Sequence, residues 1–212
     1  MKNIAKILLD IEAVSLSPDE PFIWASGIKS PIYCDNRLIL SHPKQREEVE
    51  NSLVQLIKNE FEEVEYIMGT ATAGIPHGAI VAHKMNLPMG FVRSSSKDHG
   101  KQNQIEGKII KDAKVVVLED LISTGGSAID SALALRKAGF QVLGIASIFT
   151  YQLPQAKENF KKADLRYVSL SNYDELTELA LNCNYINENQ MKKLSKWKRN
   201  PQDENWMVDI EQ

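Results

Sequence analysis

The residues best suited to chemistry lie between positions 115 and 131, in the stretch VVVLEDLISTGGSAIDS. Two adjacent carboxylates, Glu119 and Asp120, follow a run of aliphatic residues, and a stretch rich in serine, threonine and glycine ends at Ser127. Backbone N–H groups and hydroxyls at a helix N-terminus bind anions, and glycines let the backbone approach a phosphate closely. A carboxylate accepts two hydrogen bonds, which suits the vicinal hydroxyls of a ribose. The pattern therefore predicts a site for a sugar phosphate.

Other phosphate motifs fit this sequence less well. It contains neither G-x-x-x-x-G-K-[ST] nor G-x-G-x-x-G, which argues against a P-loop and against a dinucleotide site. TGGS alone would be explained by a tight strand-to-helix turn with solvated acids. Four aliphatic residues, Glu-Asp and then STGGS together favour a functional site.

A second stretch, residues 94–108, departs from the rest of the sequence. SSSKDHGKQNQIEGK holds one aliphatic residue and is longer than most connections in a compact domain. By composition alone it would be a disordered surface loop, but loops of this length are often active-site lids. We therefore predict a mobile lid that carries positive charge.

The elements that must position these residues alternate between short apolar runs and helices. The run VVVL is continuous, as expected of a parallel strand buried on both faces. The alternation predicts an α/β fold with a mostly parallel, doubly wound sheet flanked by helices. The predicted strands are 66–69, 89–92, 114–119, 141–149 and 165–170, and the predicted helices of this part are 41–61, 76–84, 127–138 and 154–162.

Three parts are predicted along the chain. Residues 1–40 form an N-terminal helix and a small hood, which contains a hairpin around Gly27. Residues 41–182 form the core, and residues 183–212 form a C-terminal helix and tail. His77 and His83 are expected to be packing or surface residues.

Composition limits the kind of protein. The 212 residues are 43% hydrophobic and 25% charged, which is typical of a globular chain and excludes a fibrous or disordered one. The net charge of −3 supplies no basic field for nucleic acid. Cys34 and Cys183 are the only cysteines, which favours a reducing cytoplasm. The N-terminal apolar stretch is too short and too charged for a signal or membrane span.

The motifs resemble those of one family. VVVLEDLISTGGS resembles the phosphoribosyl pyrophosphate motif of type I phosphoribosyltransferases over its whole length. FVRSSSKDHGKQNQIEG (91–107) resembles the catalytic lid, and WASGIKSPIYCDNR (24–37) the hood, of orotate phosphoribosyltransferases. With GTATAGIPHGA (69–79), the resemblance extends over residues 22–151.

The resemblance implies the type I phosphoribosyltransferase fold and a specific reaction. Phosphoribosyl pyrophosphate and orotate would give orotidine 5′-phosphate and pyrophosphate in pyrimidine (UMP) biosynthesis. Mg²⁺ would be bound mainly through substrate and water, with no direct protein ligand. Family members are homodimers in which the lid acts in the neighbouring subunit.

The family pattern also implies roles for individual residues. Lys97, His99 and Asp120 would be catalytic, and residues 69–74 would form the pyrophosphate loop. Orotate would contact Ser123, with Arg37 and Lys29 as further candidates whose alternatives are a structural ion pair and a surface lysine. The phosphoribosyl pyrophosphate ligands would be Arg93, Lys97, His99, Glu119, Asp120, Leu121, Ile122, Ser123, Thr124, Gly125, Gly126 and Ser127.

The sequence departs from the best-known enterobacterial form of the family at three places. Ala73 stands where that form has a lysine, Arg93 is followed by Ser94 instead of a second basic residue, and residues 150–152 lack an arginine that binds orotate. These differences leave the partner of the orotate carboxylate open. Two alternatives also remain: a purine phosphoribosyltransferase, and a non-catalytic regulator that senses phosphoribosyl pyrophosphate.

Overall fold

The N-terminal part of the chain forms one helix and a hood of short strands. The computed structural model describes residues 4–24, 26–93 and 104–208. Two antiparallel pairs, β1 with β4 and β2 with β3, make up the hood together with a 3₁₀ turn. The elements are α1 (Ile4–Asp10), β1 (Val14–Leu16), β2 (Phe22–Ile23), β3 (Lys29–Ser30), β4 (Ile32–Cys34) and the 3₁₀ turn Asn36–Ser41.

A six-stranded sheet forms the centre of the molecule. Its strand order is β10-β9-β8-β5-β6-β7, and every neighbouring pair is parallel except β6 with β7. The elements are α2 (Pro43–Glu60), β5 (Tyr66–Thr70), α3 (Gly74–Met85), β6 (Met89–Val92), β7 (Ile105–Glu106), β8 (Lys114–Ile122), α4 (Gly126–Lys137), β9 (Gln141–Thr150), α5 (Pro154–Lys162), β10 (Tyr167–Asn172), α6 (Tyr173–Asn182), α7 (Glu188–Arg199) and a 3₁₀ turn (Glu204–Met207).

Strand β8 is buried on both faces because an apolar cluster covers each side of the sheet. Val116 and Leu118 contribute to the cluster that α2 and α3 cover. Val115 and Val117 contribute to the cluster beneath α4 and α5. All four side chains are fully buried, and each such burial stabilises the fold by about 1.5–3 kcal/mol. The predicted mostly parallel α/β sheet flanked by helices is confirmed.

The C-terminal helix holds the hood against the core, in a group of contacts that we call the C-terminal clasp (Trp24 and Lys29 of the hood with Trp197 and Glu204). The Trp197 indole N–H donates to the Lys29 carbonyl oxygen, and the Lys29 ammonium lies 2.8 Å from a Glu204 carboxylate oxygen. Trp24 packs edge-on against Trp197 and stacks on Tyr151, just after β9. The clasp therefore joins distant parts of the sequence: Lys29 is 168 residues from Trp197 and 175 residues from Glu204.

Several predicted boundaries were wrong. Leu121 and Ile122, expected in a loop, extend β8 because they pair with Phe149 and Thr150 of β9. Helix α6 was not predicted, although the Asn172 side chain caps it by accepting from the Glu175 N–H. Strand β7 lies inside the predicted lid 94–108, where two residues pair with β6.

The division into 1–40, 41–182 and 183–212 stays a prediction. Helix α1, assigned to the first part, packs into the same apolar cluster as the core helices. No helix in the described ranges is long and apolar enough to cross a bilayer.

Candidate active site

The predicted site residues lie at the carboxyl ends of β5 and β8. Strand β5 continues into α3 on one face of the sheet, and β8 continues into α4 on the opposite face. The connections therefore diverge between these two strands, and open α/β sheets bind ligands in the crevice at such a switch point. The acidic pair, the predicted pyrophosphate loop and the Ser/Thr/Gly-rich stretch all meet there.

Glu119 is turned into the protein, whereas Asp120 is partly exposed at the crevice. The Glu119 side chain is 6% exposed. One of its carboxyl oxygens accepts from the Asp120 N–H at 3.1 Å, and the other accepts from the Ser127 hydroxyl at 3.2 Å. Burial raises the pKa of Glu119 to about 8, and the neighbouring Asp120 carboxylate adds to the rise. At neutral pH the Glu119 carboxyl is therefore mostly protonated.

Two contacts around the acidic pair were not predicted, although Thr70, which makes one of them, belongs to the predicted loop 69–74. Thr70, at the end of β5, donates to the Leu118 carbonyl oxygen at 3.2 Å, and its hydroxyl also faces the Glu119 carboxyl. Asn36, fully buried in the hood, donates to the Asp120 carbonyl oxygen at 2.7 Å. These partners lie far away in sequence, and no local spacing indicated them.

Residues 123–127 form an open turn into α4. Gly125 caps the helix with φ +82°, and a Cβ on it would lie 2.6 Å from the Phe160 ring. A Cβ on Gly126, in contrast, would meet no protein atom within 4 Å. A cleft of about 140 Å³ is lined by this turn together with Glu119 and Leu121. The exposed N-terminal N–H groups of α4 favour an anion in this cleft.

The predicted pyrophosphate loop, 69–74, packs closely on β8. A Cβ on Gly74 would lie 2.4 Å from the Leu118 carbonyl oxygen, and one on Gly69 would lie 2.7 Å from the Gly74 carbonyl oxygen. Both positions require glycine because the backbones nearly touch. The loop thus lies beside the acidic pair. Ala73, where the enterobacterial form has a lysine, is a helix cap here.

The base of the predicted lid is a short antiparallel ladder. Phe91 pairs with Glu106, and the Arg93 N–H donates to the Gln104 carbonyl oxygen at 2.9 Å. The Arg93 guanidinium lies 3.6 Å from a Glu106 carboxylate oxygen. Residues 94–103, which include Lys97 and His99, lie outside the described residues.

The remaining predicted site residues are paired or buried. Arg37 is 63% exposed and donates two hydrogen bonds to the Asp35 carboxylate, which raises the pKa of Arg37. Lys29 pairs with Glu204 in the C-terminal clasp. The Ile122 side chain belongs to the apolar cluster beneath α4, so only its backbone could face a ligand. His77 is buried and forms a 2.6 Å hydrogen bond with Glu50, in agreement with the expected packing role.

Comparison with known proteins identifies the class first. The phosphoribosyl transferase domain family matches residues 37–178. The crystal structure of orotate phosphoribosyltransferase from Aeropyrum pernix superimposes with a TM-score of 0.76 at 27% identity, over 87% of this chain and 99% of that one. The fold and the crevice are thus those of a phosphoribosyltransferase.

Closer relatives define the particular family. Orotate phosphoribosyltransferase of Bacillus subtilis (strain 168) is 58% identical over 96% of this chain and 94% of its own length. The enzyme of Listeria monocytogenes serotype 4b (strain F2365) is 56% identical over 97% of both chains. The chain belongs to the orotate phosphoribosyltransferase family.

Proposed function

We propose that this chain transfers the 5-phosphoribosyl group from phosphoribosyl pyrophosphate to orotate, giving orotidine 5′-phosphate and pyrophosphate, in pyrimidine biosynthesis. The observation that carries the proposal is the open turn 123–127, which follows the Glu119–Asp120 pair after two further residues of β8, at the switch point of the sheet. The high identity to enzymes named for orotate selects the acceptor base.

Catalysis in this crevice would be largely electrostatic. Breaking the C1–O bond leaves cationic character on the ribose and spreads negative charge over the departing pyrophosphate, so charges placed beforehand lower the barrier. Asp120 is the more exposed acid of the pair, and we assign it to the ribose hydroxyls. Glu119 supports it from behind through the Asp120 N–H, and residues 123–127 hold the 5′-phosphate. The loop 69–74 holds the pyrophosphate.

Cations at the entrance would complete the site. Arg93 at the base of the lid, with Lys97 and His99, would neutralise the leaving group, and a closed lid would keep water away from the ribosyl cation. The ion pair with the neighbouring Glu106 carboxylate already orients the Arg93 guanidinium. Lys97 and His99 are proposed from the family pattern alone.

Mg²⁺ fits this site as an ion carried by the substrate. Hard cations of this size prefer oxygen ligands and keep several waters. Among the described residues, no three His, Cys, Asp or Glu side chains form a metal-binding group. Asp120 offers a partly exposed carboxylate to the ion's water shell. When bound, Mg²⁺ would neutralise pyrophosphate charge.

For orotate, we propose contacts from Ser123, Arg37 and Lys29. Arg37 and Lys29 would bind orotate in place of their present ion-pair partners, Asp35 and Glu204. An arginine fork binds a carboxylate in two parallel bonds, and Arg37 already holds Asp35 in this way. Orotate could replace Asp35 without a change in the number of charge-assisted bonds.

We also propose a cytoplasmic homodimer that shares its lids. Three large apolar side chains of the hood, Ile23, Tyr33 and Leu38, are exposed, which is typical of surfaces that associate. A mixture of two inactive variants tests the sharing. Lys97→Ala and a Glu119→Gln/Asp120→Asn double variant, refolded together, should restore about a quarter of all sites if lids act in trans. Activity that stays at the level of either variant would reject the shared lid.

The test of the main proposal follows the absorbance of orotate. We expect orotate to be consumed only when phosphoribosyl pyrophosphate and a divalent ion are both present. Turnover of adenine or hypoxanthine with orotate inert would instead support a purine phosphoribosyltransferase. Binding of phosphoribosyl pyrophosphate without turnover of any base would support a sensor.

A further inference from the structure

Beyond the residues assigned above, one hood residue is bound directly to the acidic pair. The Asn36 side chain is fully buried, and its amide donates to the Asp120 carbonyl oxygen at 2.7 Å. The other end of the amide, Oδ1, is buried without a hydrogen-bond partner among the described residues. The single bond to Asp120 is thus the polar contact that this side chain makes.

The sheet explains why Asp120 needs such a partner. Strand β8 pairs with β5 only as far as Leu118, because β5 ends at Thr70 and the chain turns away. Beyond that point, the Asp120 N–H is satisfied by the Glu119 carboxyl and its carbonyl oxygen by Asn36. Side chains therefore replace the missing strand where the crevice opens. An unsatisfied carbonyl at this place would be free to rotate or would require water.

These two bonds determine where the Asp120 carboxylate points. The N–H and the carbonyl of Asp120 belong to the two peptide planes that flank its Cα, so fixing both planes fixes the direction of the Cα–Cβ bond. The position of Asn36 is itself fixed, because Asp35 caps the 3₁₀ turn through the Arg37 N–H and donates its own N–H to the Ala13 carbonyl oxygen. The hood thereby determines the direction of the Asp120 side chain on β8.

We infer that Asn36 is a positioning residue for the phosphoribosyl transfer: it holds the Asp120 backbone so that the carboxylate meets the ribose. The inference rests on the proposed function and adds to it a role for the hood other than contact with the base. A displacement of about 1 Å in a catalytic group can lower a rate about a hundredfold. Loss of the bond should therefore lower kcat more than it changes binding, since residues 123–127 remain in place to hold the phosphate.

The sharpest test compares Asn36→Asp with Asn36→Leu. Both have nearly the size of asparagine. Leucine has no donor at any pH, and the introduced carboxyl has none once it is ionised. The introduced carboxyl, however, regains a donor when it is protonated, whereas leucine never does. The titratable neighbours of this position are Cys34, Asp35 and Arg37 in its own segment and Asp120, with the adjacent Glu119, on β8; Tyr151 after β9 interacts with Cys34. Because the raised pKa of Glu119 lies in the tested range in every form, each activity is divided by that of the wild type at the same pH.

We expect N36L to lose about ten- to a hundredfold in kcat at every pH, and N36D to lose as much at pH 9, where its carboxyl is ionised, each with the KM for phosphoribosyl pyrophosphate within about threefold of wild type. Relative activity should recover as the pH falls toward 6, and N36L should show no recovery. Wild-type kcat in N36L would overturn the inference, because leucine has no donor at any pH. Parallel loss in both variants at every pH, matched by lowered melting temperatures, would also overturn it and indicate packing alone.

Two further controls separate the possible failures. If N36D does not fold, Asn36→Ala carries the test: a tenfold loss of kcat at unchanged KM supports the inference, and wild-type kcat overturns it. Wild-type protein that fails to consume orotate refutes the proposed function before any variant is compared. The two failures are therefore distinguishable.

Discussion

Replacement of Glu119 by glutamine should make the protein more stable above pH 5, although it removes a group of the site. Glutamine has nearly the same shape: its carbonyl oxygen can accept from the Asp120 N–H, and its amide N–H can donate to the Ser127 hydroxyl oxygen, which reverses that bond. It cannot ionise. The effect of E119Q therefore measures the free energy needed to hold an ionisable group in this buried position.

The magnitude follows from the pKa. The Glu119 pKa is about 8 in the folded protein, against an ordinary value of 4.5. Between these values the folded state binds more protons than the unfolded state, so the free energy of unfolding falls as the pH rises. Each pH unit removes about 1.4 kcal/mol, which amounts to about 3 kcal/mol at pH 7 and approaches 5 kcal/mol above pH 8.

Urea unfolding of wild type and E119Q at pH 5, 6, 7 and 8 measures the difference. We expect the two unfolding free energies to be similar near pH 5 and to diverge steadily toward pH 8, with E119Q more stable. The raised pKa of buried Glu50 contributes equally to both proteins and cancels. Glu178→Gln, at an exposed position on α6, is the matched control and should reproduce the wild-type curve. Parallel curves for wild type and E119Q would refute the reasoning.

Three further outcomes are expected. Gly126→Ala should leave the melting temperature unchanged but raise the KM for phosphoribosyl pyrophosphate, because the added methyl meets no protein atom and enters the cleft. Gly125→Ala should instead lower the melting temperature, since the φ of Gly125 is +82° and a Cβ there would clash with the Phe160 ring. Asp120→Asn should keep the fold, as circular dichroism can show, and lose about ten- to a hundredfold in kcat, the worth of one hydrogen bond to a charged group. His77→Leu should cost about 3–5 kcal/mol in urea unfolding by leaving Glu50 buried without its partner, and adding Glu50→Leu should restore part of that stability; a double variant less stable than the single one would contradict this.

Local sequence patterns predicted the sheet because its strands are locally apolar. The run 115–118 is aliphatic throughout, and it is buried on both faces as its continuity indicated. The same reasoning placed the end of β8 too early, at Glu119. The strand continues to Ile122 because it pairs there with β9. Strand β7 was not predicted because two residues are too few to show an alternation of apolar and polar side chains. It forms only because Ile105 and Glu106 pair with β6.

The composition of the site was predictable, but its internal arrangement was not. Glu119 and Asp120 are adjacent letters in the sequence, and only the fold shows that one acid is buried while the other is more exposed. Asn36 and Asp120 are 84 residues apart, so their hydrogen bond follows from the packing of the hood on the sheet. The roles given to Lys97 and His99 remain predictions, since they lie outside the described residues.

The C-terminal clasp has a consequence for synthesis on the ribosome. Trp24 and Lys29 are made before most of the sheet, but their partners Trp197 and Glu204 are made only after all of it. At about 5–20 residues per second, the hairpin of the hood waits roughly ten to thirty seconds for these contacts. A nascent chain can thus complete its parallel sheet while the hood still lacks the contacts that hold it there. The faces of Trp24 and Tyr151 that Trp197 later covers are open to chaperones during that interval.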